Sequence, residues 1–237
     1  MSEHGIPDSE LIVTIDGPAG SGKSTVGKML AKKLGFQYLD TGALYRVATL
    51  AVMRAGIDLK AEPLDEKAVC AVVDSCKVTL TWDANKPQVV TLDGDDVTQA
   101  IRSEEVTNLI RYVADMRDAR KLCSDLQREI ARAGRFVCDG RDQGTEVFTD
   151  AFLKIYLWAS PRVRAERRFQ ELEARGESVP LEDLERRIRM RDQLDMAREV
   201  GALRRAKDAV EIDSSELSIE ETVEAIYAHC VTRMAVQ

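Results

Sequence analysis

The chain has 237 residues, with 34 Lys and Arg against 41 Asp and Glu, a formal net charge of −7 and 44% apolar residues. That length gives one large domain or two small ones, and the apolar share suffices for a packed core, which excludes a disordered or fibrous chain. The negative balance argues against wholesale electrostatic binding to nucleic acid or to an anionic membrane.

The longest apolar runs span only a handful of residues, far below the ~20 that cross a bilayer. Residues 1–9 form a polar, acidic tail with neither a basic start nor an apolar stretch, unlike a secretory signal. Cys70, Cys76, Cys123, Cys138 and Cys230 form no C-x-x-C pair and read as reduced thiols of a cytoplasmic protein. The histidines are His4, in the tail, and His229, and neither lies near another candidate ligand or nucleophile. A Ser-His-Asp triad or a His-based zinc site is therefore not expected. The chemistry falls to Lys, Arg, Asp and backbone.

Strand-like and helix-like segments alternate. Leu11–Ile15 is a short β-branched run suited to a strand buried on both faces. A helix is expected over Lys23–Leu34, a strand over Phe36–Leu39 and a second helix over Ala43–Arg54. Lys77–Trp82 and Gln88–Leu92 flank a short polar connection and read as a hairpin, part of an antiparallel insertion at about 65–100. Leu122, Leu126 and Ile130 recur at helical spacing. Further strands are expected at Arg135–Asp139, Phe152–Leu157 and Ala209–Ile212. Ser160-Pro161 opens a helix with a cap and then Pro at the first position, and Ser218 with Glu221 forms a capping box before the last helix. Twelve Arg and no Lys fall between 160 and 205, and the guanidinium fork suits phosphate. The alternation calls for an α/β fold, a parallel sheet flanked by helices, with an antiparallel β insertion.

Gly17-Pro18-Ala19-Gly20-Ser21-Gly22-Lys23-Ser24-Thr25 fits G-x-x-x-x-G-K-[ST] between a strand and a helix, the context in which that pattern is a phosphate loop. Small residues let backbone N–H groups surround a phosphate at a helix N-terminus. Lys23 would reach the β- and γ-phosphates, and Ser24 would offer its hydroxyl directly to Mg²⁺. Thr41 and Arg46 follow the second strand, on the side where open parallel sheets bind ligands. After the 135–139 strand, Asp139 could hold Mg²⁺ through water, while Arg141 and Asp142 could contact a second ligand. Arg191, Asp195 and Arg198, at i, i+4 and i+7, share one helix face. A GTPase is disfavoured because Asn85-Lys86-Pro87-Gln88 lacks the Asp of N-K-x-D, and a helicase or transporter ATPase would be longer. A small-molecule kinase fits the size.

Together, IDGPAGSGKST (15–25), YLDTGALYR (38–46), IRSEEV (101–106), DGRDQGT (139–145), KIYLWAS (154–160), RDQLDMAR (191–198) and IDSSELSIEE (212–221) resemble the bacterial cytidylate kinase family, P-loop nucleoside monophosphate kinases, over nearly the whole chain. The resemblance implies a single P-loop kinase domain over 10–237, with a monophosphate-binding region at 41–115 and a helical lid at 168–198. It implies transfer of the γ-phosphate of ATP, with Mg²⁺, to CMP or dCMP, by a cytoplasmic monomer without nucleic-acid, membrane or obligate protein partners. Thr41, Arg46, Arg141 and Arg198 match positions that hold the monophosphate or the transferring phosphates. Arg120 and Asp142 match cytosine contacts, and Arg191 and Asp195 match pentose contacts on the lid. Lys23, Arg141, Arg191 and Arg198 form the expected catalytic set. The acceptor phosphate is already anionic, so no general base is called for. The chain departs from the family where Arg111 replaces a small Ser, Gln143 an apolar residue and Ala202 a Pro, and where a Pro before Arg120 is missing. A kinase for another acceptor, or a nucleotide-binding regulator without turnover, is the competing expectation.

Overall fold

The structure, a computed structural model, describes residues 11–83 and 86–236. The polar tail with His4 and the hairpin tip with Asn85 lie outside the described residues. In chain order the elements are β1 (Ile12–Asp16), α1 (Lys23–Leu34), β2 (Gln37–Asp40), α2 (Thr41–Arg54), α3 (Glu66–Ser75), β3 (Val78–Asp83), β4 (Lys86–Leu92) and β5 (Asp95–Asp96). There follow α4 (Glu104–Ala114), α5 (Arg117–Ala131), β6 (Phe136–Gly140), β7 (Leu153–Trp158), α6 (Pro161–Glu173), α7 (Leu181–Ala197), β8 (Val210–Asp213) and α8 (Ile219–Val236). The chain divides into two compact units, Met1–Leu39 with Ala131–Gln237, and Asp40–Ile130.

The first unit holds a five-stranded sheet in the order β2-β6-β1-β7-β8. β1 pairs in parallel with β6 and β7, and β7 with β8. Central placement explains why the IVTI run is apolar or β-branched at every position: Val13, Thr14 and Ile15 are fully buried. Val26 and Leu30 of α1 and Val223 and Ile226 of α8 join Val13, Ile15 and Ile155 in one core cluster. Each such side chain contributes roughly 1.5–3 kcal/mol by leaving water. α6 and α7 form a helical hairpin around a small cluster of Ala165, Leu172 and Leu184.

Every strand expected from sequence in this unit is present, but each ends one residue later. The ladders run on through Asp16, Asp40, Gly140, Trp158 and Asp213. At Asp16, Asp40 and Asp213 the hydrophobic pattern stops because the side chain turns polar, whereas backbone pairing continues, and strand ends are where ligand chemistry collects in parallel sheets.

The second unit packs Tyr45, Ala48 and Val52 of α2 with Val69, Val113 and Cys123. Its sheet is antiparallel, β3-β4-β5, with Thr79 opposite Thr91. The hairpin is where the sequence puts it, but the 65–100 stretch also contains α3, capped by Asp65, whose Oδ1 accepts from Ala68 N at 3.0 Å. The run AVCAVV inside it fits strand and helix alike, so periodicity could not assign it. α2 starts at Thr41 rather than Ala43, because Asp40 is the cap and accepts from Ala43 N at 3.1 Å.

One close approach fixes the exit from β1. A Cβ added at Gly17 would fall 1.9 Å from Leu157 O, a backbone atom of β7. Gly17→Ala should therefore lose about 1–3 kcal/mol or more of stability in urea unfolding. An unchanged midpoint would contradict the approach.

Candidate active site

The phosphate loop leaves the end of β1 and enters α1. Gly22 takes a left-handed φ of 89° just before the helix, and no side chain caps α1. The first N–H groups of the helix therefore stay open to an anion. The loop folds on itself: Ser21 Oγ and Lys23 Nζ both donate to Pro18 O, at 3.1 and 2.7 Å. Lys23 is only 6% exposed. Burial holds its pKa well below the ordinary lysine value, and Arg141 and Arg191 push the same way, against Asp139 and Asp16.

Asp139, at the end of β6, accepts from Ser24 Oγ at 2.9 Å and from Tyr38 OH at 2.7 Å. Gly27 permits this, since a Cβ there would lie 2.9 Å from the Tyr38 ring. Among the described residues no three His, Cys, Asp or Glu side chains cluster to cage a metal. A hydroxyl beside one carboxylate suits Mg²⁺, which prefers one or two protein oxygens with phosphate and water completing the shell. The residues present fit a metal brought in with a nucleotide.

Arg141 follows β6. Its Nε donates to Asp195 Oδ2 at 2.9 Å and its NH1 to Gly140 O at 3.2 Å. Arg198, which ends α7, reaches the other oxygen of Asp195 at 3.0 Å. Burial disfavours the Asp195 carboxylate, but Arg141 and Arg198 outweigh it and hold its carboxyl below the usual range. Asp142 is buried at 2% exposure. Lys23, Ser24, Asp139, Arg141, Arg191, Asp195 and Arg198 thus form one connected electrostatic group in the first unit.

The other site residues expected from sequence lie in the second unit. Thr41 is buried at the start of α2. Arg46 donates through NH1 to Thr107 Oγ1 at 2.8 Å and to Ile101 O at 3.3 Å. Arg120 is buried, donates to Ala114 O at 3.0 Å and stacks 5.0 Å from the Tyr45 ring centre. Arg111 is exposed and donates to Tyr112 OH at 2.9 Å.

Sequence reasoning passed over Asp16, Tyr38, Arg164 and Asp192. Asp16, 4% exposed, accepts Gln143 N at 2.8 Å and Gly144 N at 2.7 Å, one on each oxygen. It thereby pins the turn that carries Arg141 and Asp142. Its place directly before the glycine loop was the available signal.

Phosphate-binding backbone beside convergent arginines, at the end of a central parallel strand, defines a P-loop phosphotransferase. The family model described as cytidylate kinase matches residues 13–232. The chain is 42% identical over 219 residues to a cytidylate kinase of Bacillus licheniformis, covering 92% of this chain and 95% of that one. It is 45% identical over 215 residues to a cytidylate kinase of Limosilactobacillus fermentum, covering 90% and 92%. It also matches a bifunctional pantoate ligase/cytidylate kinase of Prochlorococcus marinus at 45% identity, over 91% of this chain and 43% of that longer protein. The chain belongs to the cytidylate kinase family and is a nucleoside monophosphate kinase.

Burial raises the Asp16 pKa from 3.8 to about 7, outweighing its two backbone N–H donors. The folded chain therefore holds this proton up to about pH 7, while the unfolded chain releases it near 3.8. Between those values folding takes up a proton, so the stability Asp16 contributes is full below 3.8 and is lost as pH rises through about 7. In urea unfolding, the wild-type stability minus that of Asp16→Asn should decline across this window and be flat above it. A difference independent of pH would contradict the raised value.

Proposed function

We propose that this chain transfers the γ-phosphate of ATP to CMP or dCMP, giving ADP and CDP or dCDP. The triphosphate lies on Gly17–Thr25, with backbone N–H groups and Lys23 on its phosphates. Arg141 and Arg198, with Thr41 and Arg46, hold the acceptor phosphate and the phosphate in transit. Arg120 and Asp142 face the cytosine, and Arg191 and Asp195 the pentose, from a lid at 168–198. Ser24 would bind Mg²⁺ directly and Asp139 through water; when bound, the ion neutralises charge on the phosphate oxygens. The enzyme acts as a cytoplasmic monomer. Among the described residues no helix is long and apolar enough to cross a membrane.

The attacking oxygen belongs to a phosphate already anionic at neutral pH, so no side chain has to remove a proton from it. What remains is alignment and stabilisation of negative charge spreading over equatorial oxygens. The reading is supported above all by the grouping of Lys23, Arg141 and Arg191, where burial first, and then its two cationic neighbours, lower the Lys23 pKa.

Coupled ADP release with purified protein tests it. Lys23→Ala and Arg191→Ala should each lower turnover about 100-fold or more with the fold intact. Near-normal turnover in folded Lys23→Ala would contradict the assignment. Across CMP, dCMP, UMP and AMP, the cytosine nucleotides should give the highest kcat/KM. A carboxylate at Asp142 accepts from the exocyclic amine of cytosine but faces an oxygen in uracil, leaving acceptor against acceptor. Equal kcat/KM for UMP would remove the role given to Asp142.

A further inference from the structure

The phosphate loop and α7 are tied together by a side chain to which no role has been given. Arg164, in the first turn of α6, has a side chain 2% exposed. Its Nε donates to Ala159 O at 2.9 Å, past the end of β7. Its NH1 donates to Ala19 O of the phosphate loop at 2.9 Å and to Asp192 Oδ1 at 3.0 Å, and its NH2 to Asp192 Oδ2 at 2.5 Å. The side-chain stem lies along Gly20, where an added Cβ would sit 3.6 Å from Arg164 Cβ. The side chain bonds four acceptor atoms at once, one more than the three donors of an ammonium.

α7 shows why this tie matters. Its apolar anchor, Leu184 with Ile188, lies in the first half of the helix. In the second half, Met190, Leu194 and Met196 are 64%, 62% and 52% exposed. The buried residues there are Asp192 and Asp195. Ion pairs rather than apolar contacts therefore fix the rotation of the segment that carries Arg191, Asp195 and Arg198. Replacing a buried ion pair by apolar residues of similar volume is often neutral for stability, so stability alone gives this pair little reason to exist.

We propose that Arg164 and Asp192 are positioning residues, a clamp between the phosphate loop and α7 that sets the α7 arginines against the phosphate being transferred. The proposal rests on the phosphotransferase reading above. Three variants test it: Asp192→Asn, Arg164→Lys, and the double Arg164→Met with Asp192→Leu, which removes both charges and keeps the packing. Melting temperature, kcat, KM for ATP and CMP, and amide exchange with and without ATP are measured on each.

The expected result is a loss of kcat between roughly 10-fold and about 100-fold in every variant, as for misplaced catalytic groups. The double variant should melt near wild type and lose no more than the singles, because all three break one clamp. Arg164→Lys should not rescue. ATP should slow amide exchange over residues 186–198 in the wild type but not in the double variant. A folded double variant with kcat within about twofold of wild type, or additive single losses, would overturn the proposal. If the wild type itself releases no ADP with CMP, the phosphotransferase reading falls. The clamp is then decided by exchange alone, and equal ATP protection in wild type and double variant overturns it.

Discussion

Cations crowded into a poorly solvated corner are the constraint on which the first unit turns. Lys23 is buried where α1 begins, with Arg141 and Arg191 close enough to depress its pKa, and the uncapped helix end adds partial positive charge. Acidic side chains at strand and helix ends stand among these cations. Asp139 takes the Ser24 and Tyr38 hydroxyls, Asp16 the backbone of the following turn, and Asp195 the guanidinium groups of Arg141 and Arg198. Under the proposed function, a polyanion entering this corner replaces repulsion by attraction, which is the charge stabilisation that phosphoryl transfer needs.

The parallel sheet serves this arrangement. β1, β6 and β7 are parallel neighbours whose ends lie side by side, Asp16 opposite Gly140 and Tyr156, so the glycine loop, the Asp139–Asp142 turn and the entry to α6 are brought together by strand order. Gly17 can approach Leu157 O only because it lacks a side chain. The tight loop is thus a consequence of the strand spacing as much as of its own sequence.

The phosphate loop was legible in the sequence because its determinants are local: small residues, a lysine and a hydroxyl within one turn. The strands of the five-stranded sheet were legible to within one residue, whereas β4 starts two residues before the expected Gln88 and β5 was not expected. Asp16 and Arg164 were not, because each acts on partners far along the chain, Gln143 and Gly144 for one, Ala19 and Asp192 for the other. Asp192 stood inside a quoted motif, but its partner Arg164 lies 28 residues away. Of the departures from the family, Arg111 is an exposed residue paired with Tyr112. Gln143 is fully buried. Nothing in the structure explains why Gln stands there.

The titration of the Lys23 ammonium, followed by NMR of its side chain in the free protein and with ATP bound, tests the charge-crowding account most directly. Free Lys23 should titrate well below 10.5, and ATP should move it upward, so that binding takes up a proton at pH values between the two titrations. An ordinary lysine titration, unchanged by ATP, would contradict it.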